Sequence, residues 1–283
     1  MGNFFEILIR GLMLGSVYAL VGMGLTLVWG VVGIVNIAHG EFVMLGAYFA
    51  FWAFSLVHLN PLLAVAFSVP VFFLAGVAIH KRVTERLIKA PELSALILTF
   101  GMSTLIWNLA QFLWTNTYRS VPYLTGNFLF LGFVLGRSKT VSFGLAIGIT
   151  AALFAFLKYS KLGKGIRATS QNSEVALVCG INTVRMRALT FGMGIGLAGA
   201  AGAIVSLQWV IFPQMGSTYI SKAFAIVVLG GLGNIHGALA GGLIIGVLES
   251  LVTQYLSAKM AQIIPSVTLL IILLLRPTGL FKR

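Results

Sequence analysis

The chain has 283 residues, 59% of them hydrophobic and 9% charged, with a mean hydropathy of +1.01. That much apolar surface exceeds what a water-soluble domain can hide, so the bilayer is the solvent and a soluble enzyme or binding module is excluded. The formal charge of +13 does not point to nucleic acid, because the basic residues fall into separate loops rather than onto one folded face.

A hydrocarbon core of about 30 Å takes about 20 helical residues. Spans are expected at Leu8 to Val28, Phe42 to Leu59, Leu62 to Ile79 and Leu93 to Trp114. More follow at Val141 to Leu157, Ala188 to Ile211, Ala223 to Leu256 as a Gly-broken pair, and Ile263 to Leu275. The fold class is therefore an all-α integral membrane protein of eight or nine crossings, one transmembrane domain over 1–283. No basic n-region with a small-residue cleavage site precedes the first span, which is expected to be retained.

Thirteen of the nineteen Lys and Arg residues lie in three places: Lys81, Arg82, Arg86 and Lys89; six between Lys158 and Arg187; and Arg276, Lys282 and Arg283. The positive-inside tendency makes these regions cytoplasmic. Nine crossings then put the N-terminus outside and the C-terminus inside; eight require the first or seventh span to be re-entrant. The single Cys179 falls on the cytoplasmic side and has no partner for an intrachain disulfide.

The first Asn/His/Gly cluster comes at residues 29–41, with Asn36, His39, Gly40 and Glu41. A second, Gly230 to Gly237, contains Asn234 and His236, and each sits at the mouth of an apolar span. A weak upstream echo, Tyr18-Ala19-Leu20-Val21 against Phe224-Ala225-Ile226-Val227, suggests an internal repeat, though so short a match also arises by chance. Broken helices at corresponding places point to a membrane-embedded pathway, since irregular backbone at membrane depth must line a cavity or pack inside protein. These residues and Glu249 are the candidates for the translocation path.

An ionised group at the bilayer centre is costly, so Glu41 and the mid-span Glu249 are expected to avoid lipid. Company for Glu249 is expected from His236, His39 or a neighbouring hydroxyl, in a plain interhelical hydrogen bond or a transport role. His39 and His236 read as helix-end histidines bonded to carbonyls rather than metal ligands, since no carboxylate or cysteine cluster with ligand spacing accompanies them. Gly194 to Gly199 matches a dinucleotide-binding pattern but lies in an apolar span, where close helix packing explains it. Lys164 lacks the neighbours of a phosphate-binding loop. Trp114, Tyr118, Tyr123, Trp209, Phe212 and Tyr219 read as membrane-interface aromatics.

Residues 158–187 form a polar, basic island containing a short helical stretch, Glu174 to Cys179. Asn172 or Ser173 can cap its start, Glu174 complements the dipole, and Gly180 can end it in a left-handed conformation. Two turns are too few to be stable alone, so Val175, Val178 and Cys179 need a surface, either in this chain or in a partner.

The run Gly163-Lys164-Gly165-Ile166-Arg167-Ala168, with Gln171-Asn172, Ala176, Gly180-Ile181-Asn182, Arg185 and Leu189-Thr190-Phe191, resembles the cytoplasmic loop of LivH-type permeases of branched-chain amino acid ABC importers. So do Gly24-Leu25-Thr26 leading to Asn36 through Phe42 and Met44 through Tyr48, and Val228 through Gly233 with Gly237-Ala238. The resemblance implies a permease subunit without catalytic residues, metal or cofactor of its own. It further implies a second homologous permease, two ABC ATPase subunits, a periplasmic binding protein and a bacterial inner membrane. Coupling to the ATPase then falls to Arg167, Ala168, Glu174, Ala176, Val178 and Gly180. Glu174, Ala176 and Gly180 keep the broader importer spacing, but the Ile-x-Leu-Pro ending is absent after Gly180. A urea or short-amide permease of the same family is the alternative; an ion-coupled secondary transporter would leave the basic loop unexplained.

Overall fold

The computed structural model describes residues 2–88, 90–130, 133–276 and 279–281; Lys89, Lys282 and Arg283 lie outside them. The order is α1 (Gly2–Val32), α2 (His39–Val57), α3 (Pro61–Arg82), a 3-10 turn (Thr84–Leu87) and α4 (Glu92–Trp114). An antiparallel hairpin of β1 (Asn127–Phe130) and β2 (Phe133–Gly136) precedes α5 (Arg137–Tyr159). Then come α6 (Lys161–Gln171), α7 (Ser173–Val178), α8 (Thr183–Val205), α9 (Met215–Gly230), α10 (Ile235–Tyr255), α11 (Ala258–Ala261) and α12 (Ile264–Leu275). Among the described residues, apart from the hairpin, the protein is all-α, and eight helical stretches are long and apolar enough to cross a membrane.

The two most buried helices, α1 and α8, form the axis of the bundle. Small residues bring them together: a Cβ on Gly194 would lie 2.5 Å from a Val28 methyl and 2.7 Å from the Gly24 carbonyl oxygen. Gly192 and Gly196 press in the same way on Val77, Phe73 and Val69 of α3. The dinucleotide-like glycines are thus a packing surface, where backbone approach replaces the hydrophobic drive that lipid removes.

Chain direction follows from these contacts. Gly11 of α1 faces Val247 of α10 and Gly30 faces Gly233, so the two helices run antiparallel. α5 ends, and α8 begins, at the end that carries α6 and α7. Among the described residues the eight long helices and the shorter α9 cross the bundle in alternating directions, with the N-terminal end of α1 opposite α7 and the last residues of α12 on the α7 side. α9 has 16 residues, about 24 Å at the helical rise, too short to span alone. It starts late because residues 206–214 first run across the far end, where Arg119 and Ile211 exchange backbone hydrogen bonds of 2.9 and 2.7 Å.

Tyr219 departs from the interfacial role expected of it. Trp114 stacks on the buried Tyr48 with ring centroids 4.0 Å apart, and Tyr219 is buried edge-on against Tyr18. Tertiary contacts hold both rings.

Candidate functional site

The predicted loop helix forms as α7, and its ends are fixed locally. Asn172 Oδ1 accepts from the backbone N–H groups of Glu174 and Val175 at 2.9 and 3.0 Å. At the other end Gly180 adopts φ +80°, with Gly180 N–H donating to the Leu177 carbonyl and Ile181 N–H to the Ala176 carbonyl, each at 3.0 Å. This reciprocal pair satisfies two otherwise orphaned carbonyls and needs the left-handed residue that glycine supplies.

Of the α7 side chains only Ala176 is turned inward and buried. Val175, Leu177 and Val178 are 57%, 61% and 89% exposed, and Glu174 and Cys179 also face outward. The apolar face therefore does not rest on this chain. The preceding helix α6 does: Ile166 and Thr169 are buried, Gly165 lies against Met186 of α8, Ala168 is half-buried and Arg167 is exposed.

A polar network missed in the sequence anchors this platform. Arg187 Nη2 donates to Glu85 Oε1 at 3.1 Å and Nη1 to Ser173 Oγ at 3.4 Å. The fully buried His80 accepts from the Thr84 hydroxyl at Nδ1, 2.7 Å, and donates from Nε2 to Glu85 Oε2, 2.6 Å. The end of α3, the 3-10 turn, the head of α7 and the start of α8 are thereby linked.

The seven path candidates fall into three places. Asn36, His39, Gly40 and Glu41 stay together at the break between α1 and α2, all buried. His39 Nε2 donates to the Val21 carbonyl at 3.0 Å. Helical rise puts Val21 about 16 Å from the end of α1. The chain has therefore turned back into the bundle before α2 begins. Glu41 accepts from Ser103 of α4 at 3.2 Å, Gly40 packs on Gly216 of α9, and Asn36 has no hydrogen-bond partner at either side-chain polar atom.

Asn234 and His236 lie elsewhere. Asn234 caps α10, its Oδ1 accepting from Gly237 N–H at 3.1 Å while Nδ2 donates to the Phe281 carbonyl at 2.9 Å. His236 is exposed and stacks on Phe154 at 4.7 Å. The two Asn/His breaks thus differ in depth: one is buried in the bundle and the other is a partly exposed turn at the α7 end.

Glu249, on α10, is 5% exposed, and neither histidine is its company. The neighbouring hydroxyl is Tyr18, donating to Oε2 at 2.8 Å, and the counter-charge is Lys222 of α9, donating to the same oxygen at 2.9 Å. Lys222 Nζ also lies 2.5 Å from the Tyr18 hydroxyl and 4.0 Å from the Tyr18 ring centre. The span expected from hydropathy starts at Ala223, just past this lysine; α9 instead begins at Met215 and carries Lys222 into the bundle.

A family model described as the branched-chain amino acid transport system permease component matches residues 7–273. Similar proteins include the high-affinity branched-chain amino acid transport system permease protein BraD of Pseudomonas aeruginosa, 33% identical over 99% of this chain and 96% of its own. The LivH permease protein of Escherichia coli K12 is 34% identical over the same shares, and the ribose import permease protein RbsC of that organism is 30% identical over 88% of this chain and 78% of its own. The solved structure of PsaBC from Streptococcus pneumoniae in complex with Fab covers 98% of this chain and 96% of its own at a TM-score of 0.53 and 11% identity, a likeness of fold alone. The matched stretch takes in α7, the α1–α2 break and the Lys222–Glu249 pair together, and the chain belongs to the branched-chain amino acid transport system permease component family.

Proposed function

We propose that this chain is a membrane permease subunit of an ATP-driven importer for branched-chain amino acids, docked through α7 on a separate ATPase. The observation that carries this reading is the outward apolar face of α7 on a helix fixed by Asn172, Gly180 and Arg187. Exposed Val175, Leu177 and Val178 at the tip of a basic, polar end are badly placed for either water or lipid. They suit a cleft in a soluble protein. The similar permeases BraD and LivH, named for branched-chain amino acid transport, support the substrate class.

The chain performs no covalent chemistry in this reading; ATP is hydrolysed on two partner subunits. A second, homologous permease completes the path, a periplasmic binding protein delivers the amino acid, and the assembly sits in a bacterial inner membrane with the α7 end in the cytoplasm. Glu174, Ala176, Val178 and Gly180 make or shape the ATPase contact, with Arg167 and Ala168 on the supporting helix. The buried break at Asn36, His39, Gly40 and Glu41 is the part of the path where helices rearrange, since unpartnered Asn36 can acquire partners in a second conformation. Asn234 and His236 shape the cytoplasmic mouth.

The test is reconstitution with the ATPases and the binding protein in vesicles. Glu174→Lys with Val178→Asp should abolish both ATP-driven leucine uptake and retention of the ATPase on the permease. Uptake and retention equal to wild type would refute the assignment of α7. Gentle purification from the native membrane should also retain a second permease and P-loop ATPases; recovery of this chain alone, still transporting without ATP, would favour an ion-coupled carrier.

A further inference from the structure

α1, α9, α10, α11, Lys139 of α5 and residues 208–215 line an open cavity of about 530 Å³ at the end opposite α7. This lies in the range of small-molecule sites. Tyr18, Lys222 and Glu249 line its buried part, and Arg10 and Lys139 its outer part. Leu14, Trp209 and Met215 supply apolar wall.

An ion pair taken out of water loses hydration that mutual attraction only partly offsets, so a pair held inside an apolar bundle is weak evidence for stability. Here the pair also faces space. Lys222 Nζ lies 2.9 Å from both Glu249 carboxylate oxygens, and Lys222, Glu249 and Tyr18 all belong to the cavity lining.

We propose that Lys222, Glu249 and the Tyr18 hydroxyl read the charges of a zwitterionic α-amino acid in this cavity. The assignment rests on the permease reading above and deepens it. On entry the two protein charges exchange partners: the ligand carboxylate takes hydrogen bonds from Lys222 Nζ and Tyr18 Oη, and the ligand ammonium donates to the Glu249 carboxylate. Every buried charge remains paired throughout. A lone anion or cation would leave one member uncompensated, and an uncharged molecule such as urea brings no charges to offset parting the pair. Arg10 is already paired with Glu6, so Lys139 supplies the outer positive charge that favours the carboxylate end leading, and a branched aliphatic side chain can lie against Leu14, Trp209 and Met215.

The test is ATP-driven uptake of radiolabelled leucine by the reconstituted complex, comparing wild type with Lys222→Met/Glu249→Leu. Removing both charges leaves no buried ion unpaired, so the variant is expected to assemble with its partners. Its uptake at low leucine concentration should fall about tenfold or more, the scale of lost charged hydrogen bonds. Wild-type uptake by the assembled double variant overturns the proposal. Wild-type complex that moves no leucine, isoleucine or valine overturns the transport reading itself, and this assignment with it. If the double variant fails to assemble, Tyr18→Phe decides: the ion pair stays, and the half-saturating leucine concentration should rise about threefold to tenfold. An unchanged value overturns the proposal.

Discussion

Arg187 Nη2 lies 3.1 Å from Glu85 Oε1, joining positions 102 residues apart and locking the start of α8 to the turn after α3. Its other arm reaches Ser173 at the head of α7. The two-turn helix that faces outward is thus held by one side chain to the two long helices behind it. In the coupling role proposed for α7, these contacts connect it to the turn after α3 and to α8.

Replacing Arg187 by Leu should uncouple rather than unfold. The pair is only partly buried, so its loss should lower stability by about 1 kcal/mol, while amide exchange over residues 173–178 becomes faster and ATP-driven uptake falls several-fold. Exchange at the wild-type rate in the variant would show that Arg187 does not hold α7.

Cys179 offers a direct probe of what covers α7. It is the single cysteine of the chain and is exposed beside Val178. A bulky maleimide should label it readily in the isolated permease and much more slowly in the complex with its ATPases. Equal labelling rates in both would mean that the partner docks elsewhere.

The ends of α7 make a separate prediction. Asn172→Ala removes the acceptor for two N–H groups and should weaken the helix by about 1 kcal/mol. Gly180→Val should do at least as much, because φ +80° is strained for a β-branched residue. Both should reduce uptake at unchanged yields of purified permease, measured by size-exclusion chromatography in detergent.

Glu249→Leu alone should be worse for folding than Lys222→Met/Glu249→Leu. The single change strands a buried ammonium, a penalty of about 3 to 5 kcal/mol, whereas removal of both charges is close to neutral. Thermal unfolding followed by retention of monodisperse protein distinguishes the two. A single variant as stable as wild type would mean that Lys222 finds water.

Glycine positions should separate sharply by contact. A Cβ on Gly194 would meet Val28 and the Gly24 backbone, whereas Gly144 and Gly148 of α5 have nothing within 4 Å. Gly194→Val should therefore abolish monodisperse expression, by overpacking the α1–α8 contact, while Gly148→Ala should leave it unchanged.

The legible features were those set by neighbours in the chain. Asn172, Glu174 and Gly180 mark α7 because capping involves residues three or four apart. Hydropathy located the spans, and an acid inside one marked Glu249 as inward-facing. It could not supply the acid's partners: Lys222 is 27 positions away on another helix and Tyr18 is 231. Lys222 was further hidden because a charge at the edge of an apolar run looks like the end of a span. The similar Asn/His clusters also concealed different depths, since only packing decides that Asn36 and His39 are buried and His236 exposed.

By itself, the sequence determined the solvent of this protein, its helical class, the basic end and the short capped helix there. These depend on composition and local periodicity. Tertiary structure alone decided that the apolar face of α7 points away from the bundle, that Arg187 ties it to α3, and that Lys222, Tyr18 and Glu249 meet at a cavity. Such contacts join distant positions through helix packing, and in a bilayer that packing is chosen by backbone shape and by the need to pair every buried charge.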